Sequence, residues 1–231
     1  MEGAATQLNA CGGTVTAIPE KPTISAREVL PPLIIGALGT ASVIVYYFVN
    51  PRLQILDVVL LLVVVAFATL GAMQNIIRGF MSLFALYFAT GLAATFYQPV
   101  FPYIHSILKS IGMRVASAGN VDYDALAFSF GLLAVVMWIA LEAIARLSLP
   151  DSSLPALGIF DTLGGAFVYL IVGILTAALM FNTFGYSTRG WDAHYRARLR
   201  PQFNQVVEFY YTTQAFWFSA PPLIYMYDLN R

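Results

Sequence analysis

Residues 55–74 read ILDVVLLLVVVAFATLGAMQ, twenty residues in which Asp57 is the one charged side chain. A hydrocarbon core of about 30 Å takes about 20 apolar residues of helix to cross. The stretch is therefore a membrane span, and its neighbours follow the same rule. The short link 75–79 leads straight into a second apolar run at 80–101, which makes the two an antiparallel hairpin. Upstream, residues 30–49 carry no charge and end in Tyr46-Tyr47-Phe48, an aromatic signature of the membrane interface. Pro31 and Pro32 are expected in the first turn of that span, where a missing N–H costs least. Asn50-Pro51 then breaks it. Two further spans are expected at 125–147 and 161–181.

Composition supports the reading. Apolar residues make up 59% of the 231-residue chain and charged residues only 10%. Soluble domains average about 45–50% and about 25%. No stretch shows the alternating pattern of a membrane β-strand. The expected fold is an all-α integral membrane protein, a bundle of five transmembrane helices spanning residues 30–186. Residues 1–29 form a polar leader with neither a basic nor an apolar signal region. Residues 187–231 form an aromatic-rich tail.

Between the third and fourth spans, Ile104, Ile107, Leu108, Ile111 and Val115 follow helical spacing, with His105, Lys109, Ser110 and Arg114 largely opposite. This predicts an amphipathic helix over 102–124, lying in the interface or packed on the end of the bundle. The tail joins Arg189, Arg196, Arg198 and Arg200 to eleven aromatic residues, and Pro221-Pro222 stops any span after Phe216-Trp217-Phe218. Arg189, Trp191, Arg196, Arg198, Arg200, Phe216, Trp217 and Phe218 are candidates for lipid contact or for docking a partner.

Few residues offer chemistry. Net charge is zero, which gives no footprint for nucleic acid. Cys11 is the one cysteine, and His105 and His194 are the two histidines, too few for a histidine-rich metal site. No nucleophile–base pair or phosphate-binding loop stands out, so neither enzymatic activity nor a cofactor is expected. Charged residues at membrane depth are the remaining candidates. Arg78, Glu142, Arg146 and Asp161 all fall toward one membrane face and could form an ionic cluster, read as a structural clamp in preference to a proton path. Asp57 and Asp161 each stand near a helix start, where a carboxylate meets orphan N–H groups. Gly71, Gly91, Gly131, Gly165 and Gly173 read as close helix packing.

Several of these residues carry a resemblance. Leu56-Asp57 opens an apolar span, Arg78-Gly79-Phe80 links into the next, and Leu157-Gly158 precedes Asp161, Gly165 and Gly173. Over about residues 55–185 the chain resembles the colicin V production protein family of small bacterial inner-membrane proteins. It carries Tyr169 and Val172 where that family favours a glycine and a basic residue. The resemblance implies a four-helix membrane protein implicated in colicin export, with no established enzymatic activity or cofactor. The first span and the tail fall outside it.

Two functional expectations stand beside each other, with a third behind them. The first is an accessory subunit of a larger membrane complex, such as a bioenergetic electron-transfer assembly, binding lipids and other integral membrane subunits. The second is a role in export or envelope maintenance. The third is a small channel or transporter. Basic residues set the expected orientation in the inner membrane. Arg52, Lys109, Arg114, Arg189, Arg196, Arg198 and Arg200 outnumber Lys21, Arg27, Arg78 and Arg146 on the opposite face. The N-terminus is then outside and the C-terminus cytoplasmic.

Overall fold

The computed structural model describes residues 26–111, 123–148, 159–186 and 191–215. Seven helices follow in order: α1 (Ala26–Val49), α2 (Ile55–Ala72), α3 (Ile76–Ser110), α4 (Tyr123–Ser148), α5 (Ile159–Tyr186), α6 (Trp191–Arg196) and α7 (Arg200–Ala215). No strand occurs among the described residues. The first five helices are each long and apolar enough to cross a membrane. Their outer surfaces carry large apolar side chains, Leu38, Phe48, Phe84, Val136, Ile139 and Phe167 among them. An apolar exterior this continuous is stable only against lipid. The chain is a multi-pass membrane protein.

Helix α5 is the hub, touching α2, α3, α4, α6 and α7. Its closest neighbour is α2, and glycines set that distance. A Cβ at Gly165 would fall 2.2 Å from the Gln74 carbonyl oxygen and 2.7 Å from that of Gly71. At Gly71 it would meet the Tyr169 Cβ at 2.3 Å, and at Gly173 the Phe67 Cβ at 2.8 Å. The two backbones thus approach closely where residues 64–74 cross residues 165–173, the usual way to maximise dispersion contact where lipid removes the hydrophobic drive. By contrast α1 packs on α2 and is otherwise largely exposed, with Gly36 facing Thr69 and Gly39 facing Val65.

Three elements differ from the sequence expectation. Helix α1 starts at Ala26, so Pro31 and Pro32 lie inside it, past the first turn. The imino nitrogens leave two carbonyls of the preceding turn without helical donors. Helix α3 runs 35 residues without a break, through Pro99 and Pro102, to Ser110. The amphipathic segment expected at 102–124 therefore begins as an extension of the third span. Ile104 and Leu108 bury against Ala125 at the start of α4, backed by Val100 and Phe101. That packing holds the helical course past two prolines, while Ile107 and Ile111 stay exposed; Arg114 and Val115 lie outside the described residues.

The tail is the third. Residues 191–215 fold as α6 and α7, and Ala197, Phe203, Val207 and Tyr210 are buried in the main core with Leu60, Tyr97, Phe130 and Phe181. Arg189, Phe216, Trp217 and Phe218 lie outside the described residues, as does the leader up to residue 25.

Candidate functional site

The antiparallel order of the spans brings the end of α2, the start of α3, the end of α4 and the start of α5 to one face of the bundle. A pocket of about 380 Å³ opens there between α2 and α4. Tyr169 of α5 and Ser82 of α3 line it, with Phe67 and Leu70 from α2, Gln74 from the link after α2, and Trp138, Ile139, Glu142, Ala143 and Arg146 from α4. The Phe67 and Trp138 rings stack 5.6 Å apart beside it. Leu70 and Ile139, two of its lining residues, are exposed on the outer surface of the bundle.

Polar groups line the pocket unevenly. The Tyr169 hydroxyl donates to Gln74 Oε1 and is also hydrogen-bonded with Ser82. Arg146 Nε donates to Glu142 Oε1 at 3.3 Å. With the Arg146 side chain 54% exposed, that pair is worth about 1 kcal/mol or less. Glu142 Oε2 and Trp138 Nε1 are buried with no hydrogen-bond partner among the described residues. This donor and this acceptor, one helical turn apart and without a partner among the described residues, are polar atoms that a bound group could satisfy.

The four residues expected as an ionic cluster resolve into different roles. Glu142 and Arg146 form the pair just described. Asp161 is buried, and its Oδ1 accepts the Ile76 backbone N–H at 2.9 Å, so it caps the first turn of α3 from the neighbouring helix. That satisfies one of the orphan donors a helix start leaves. Arg78 is half-buried and, with Glu142 and Arg146, lies within electrostatic range of Tyr169. Nothing in the sequence joined Tyr169, Gln74, Ser82 and Trp138, since they come from three helices and the link after α2 and share no motif.

A second polar constellation lies at the opposite face. Asp57 is fully buried. Its carboxylate accepts three backbone N–H groups, from Gln54 at 3.0 Å, Arg198 at 3.0 Å and Leu199 at 3.1 Å. The first caps α2, as expected of a carboxylate in a first turn. The other two clasp the turn that leads into α7. At the far end of α7, Gln214 Nε2 donates to Thr90 Oγ1 at 2.9 Å and to the Tyr87 carbonyl at 3.0 Å, both on α3. The tail arginines keep their charges outward: Arg196 pairs with Asp192 at 2.9 Å, and Arg200 lies 4.9 Å over the Tyr195 ring. Arg198 is exposed and gives Asp57 its backbone only.

His194 of α6 is buried and stacks on Phe181 at 4.1 Å. Burial, with the Arg200 charge nearby, lowers its pKa from the ordinary 6.5 to about 4. The folded chain thus prefers the neutral imidazole. Its contribution is fully present above about pH 6.5 and is lost as pH falls toward 4, where the unfolded chain takes up a proton and the folded one does not. At 1.36 kcal/mol per unit the loss comes to about 3 kcal/mol. Thermal melts in detergent should show this acid limb between those two pH values, and His194→Gln should flatten it. An unchanged limb in the variant would assign the loss to other groups.

With this geometry in place, comparison with known proteins is informative on one point. A family model described as colicin V production protein matches residues 56–208. The match begins at the start of α2 and leaves α1 outside. It extends beyond residue 185, where the sequence resemblance was expected to end, and takes in α6 and most of α7. No curated protein and no solved structure matches.

Proposed function

The chain belongs to the colicin V production protein family, and from that premise we propose that it is a non-enzymatic protein of the bacterial inner membrane serving export or envelope maintenance. The observation that supports this is the extent of the match. It covers the four-span bundle together with α6 and the first half of α7, which Asp57 holds against the bundle through Arg198 and Leu199, so the part shared with the family is a packed unit. This favours the export reading over an accessory subunit of an electron-transfer assembly. In the proposed role the bundle acts by holding lipid and other membrane subunits. The first helix, outside the family match and largely exposed, is the surface left for such a subunit.

The proposed orientation places the N-terminus outside and the C-terminus in the cytoplasm, on the excess of basic residues at the α6 face. The pocket between α2 and α4 is then on the outer side. An impermeant thiol reagent should label Cys11 in intact spheroplasts; labelling only after lysis reverses the orientation. The role itself is tested in a colicin V-producing strain that lacks its own family member. Expression of this chain should restore colicin activity to the medium. Colicin retained in the cells, with the chain correctly inserted, would remove the export reading.

A further inference from the structure

We propose that the pocket between α2 and α4 binds one phospholipid with a primary-amine headgroup, entering sideways from the bilayer. The order of groups along α4 carries the inference. From the membrane interior toward the surface it presents Trp138 and then, one helical turn on, Glu142. A phospholipid headgroup with its amine toward the surface presents phosphate and amine in the same order. The acyl chains leave the pocket past Leu70 and Ile139, which already face lipid. The phosphate meets the Trp138 indole N–H, whose nitrogen has no partner among the described residues. The Gln74 amide lines the same pocket; its oxygen accepts from Tyr169, which leaves its N–H groups as donors.

The ammonium meets Glu142 Oε2, the buried carboxylate oxygen that has no partner among the described residues. Arg146 holds the other oxygen of the same carboxylate and fixes its direction. A buried anionic acceptor costs free energy until a cationic donor fills it. A primary ammonium supplies both the charge and the N–H. A quaternary ammonium supplies only the charge, and a glycerol headgroup only hydroxyls. The pocket, at about 380 Å³ with largely apolar walls, suits a headgroup and the first methylenes of its chains. This inference does not depend on the export role, because it concerns occupancy and not transport.

Trp138 is its own reporter. With Trp191→Phe and Trp217→Phe it becomes the one indole of the chain. The protein is reconstituted in phosphatidylcholine vesicles containing a small fraction of a lipid with brominated acyl chains, which quench indole fluorescence on contact. Brominated phosphatidylethanolamine should half-quench Trp138 at about a tenfold lower fraction than brominated phosphatidylcholine, the range expected for one charge-assisted hydrogen bond. Glu142→Gln should abolish that advantage. Ala143→Leu, which fills the pocket from an exposed position and leaves Glu142 intact, should do the same and serves if Glu142→Gln does not fold. Equal quenching by both lipids in the parent means that Trp138 sees only the surrounding bilayer, and overturns the site. Stronger quenching by brominated phosphatidylglycerol overturns the headgroup assignment. Complementation of colicin release is read separately, so either result can fail without the other.

Discussion

Replacing Asp57 with alanine should release α6 and α7 from the bundle while leaving the five spans inserted. Three backbone N–H groups lose their acceptor at once, two of them 141 and 142 residues away in sequence. Hydrogen bonds to a charged acceptor contribute about 1.5–3 kcal/mol each, and donors left without a partner add a desolvation cost. A loss of at least about 3 kcal/mol is expected even with partial rescue by water. The readout is limited proteolysis in detergent. Cleavage within 191–215 should accelerate strongly in Asp57→Ala and only modestly in Asp57→Asn, which keeps one acceptor oxygen. Equal protection of the tail in Asp57→Ala and the parent would show that apolar packing alone retains it.

Gly165→Ala is expected to be the most damaging glycine-to-alanine change among the described residues. Its new Cβ would stand 2.2 Å from the Gln74 carbonyl oxygen and 2.7 Å from the Gly71 carbonyl oxygen. Both obstacles are backbone, so no side chain can rotate away. Overpacking usually costs about 1–3 kcal/mol, and separating α2 from α5 belongs at or above the top of that range. Asp161 would move with α5 and weaken its hold on the Ile76 N–H. Gly131→Ala is the matched control, since its Cβ would meet only a Thr183 methyl at 3.7 Å. Thermal melts in mild detergent should separate the two variants clearly. Similar melting temperatures would mean that the α2–α5 contact is looser than described.

These two residues also mark how far the sequence can be read. Asp57 was legible as a helix cap because its position in the first turn of an apolar run has a local cause. Its hold on Arg198 and Leu199 was not, because that contact joins segments 141 and 142 residues apart through backbone groups that carry no sequence signature. Gly165 and Gly173 read as packing positions, and they pack. The spans were legible because lipid demands long unbroken apolar runs, a constraint stronger than any soluble fold imposes. Helix α7 was obscured because its apolar positions, Phe203, Val207 and Tyr210, share a short helix with Gln202, Asn204, Gln205 and Glu208. Such a helix reads as interfacial until a partner surface is known, and here the partner is the chain's own α5. The pocket was hidden for a related reason. Tyr169, Gln74, Ser82 and Trp138 each look ordinary, and only the packing of α3, α4 and α5 with the link after α2 brings them to one pocket.

Helices α6 and α7 of the tail pack as part of the bundle. Hydrogen exchange of the intact protein in lipid nanodiscs tests that directly. The Arg198 and Leu199 amides and those of residues 203–210 should exchange as slowly as the core of α5, since all of them open only with the whole unit. Exchange of the α6–α7 amides at the rate of a free peptide, with α5 still protected, would contradict it and return the tail to an independent surface segment.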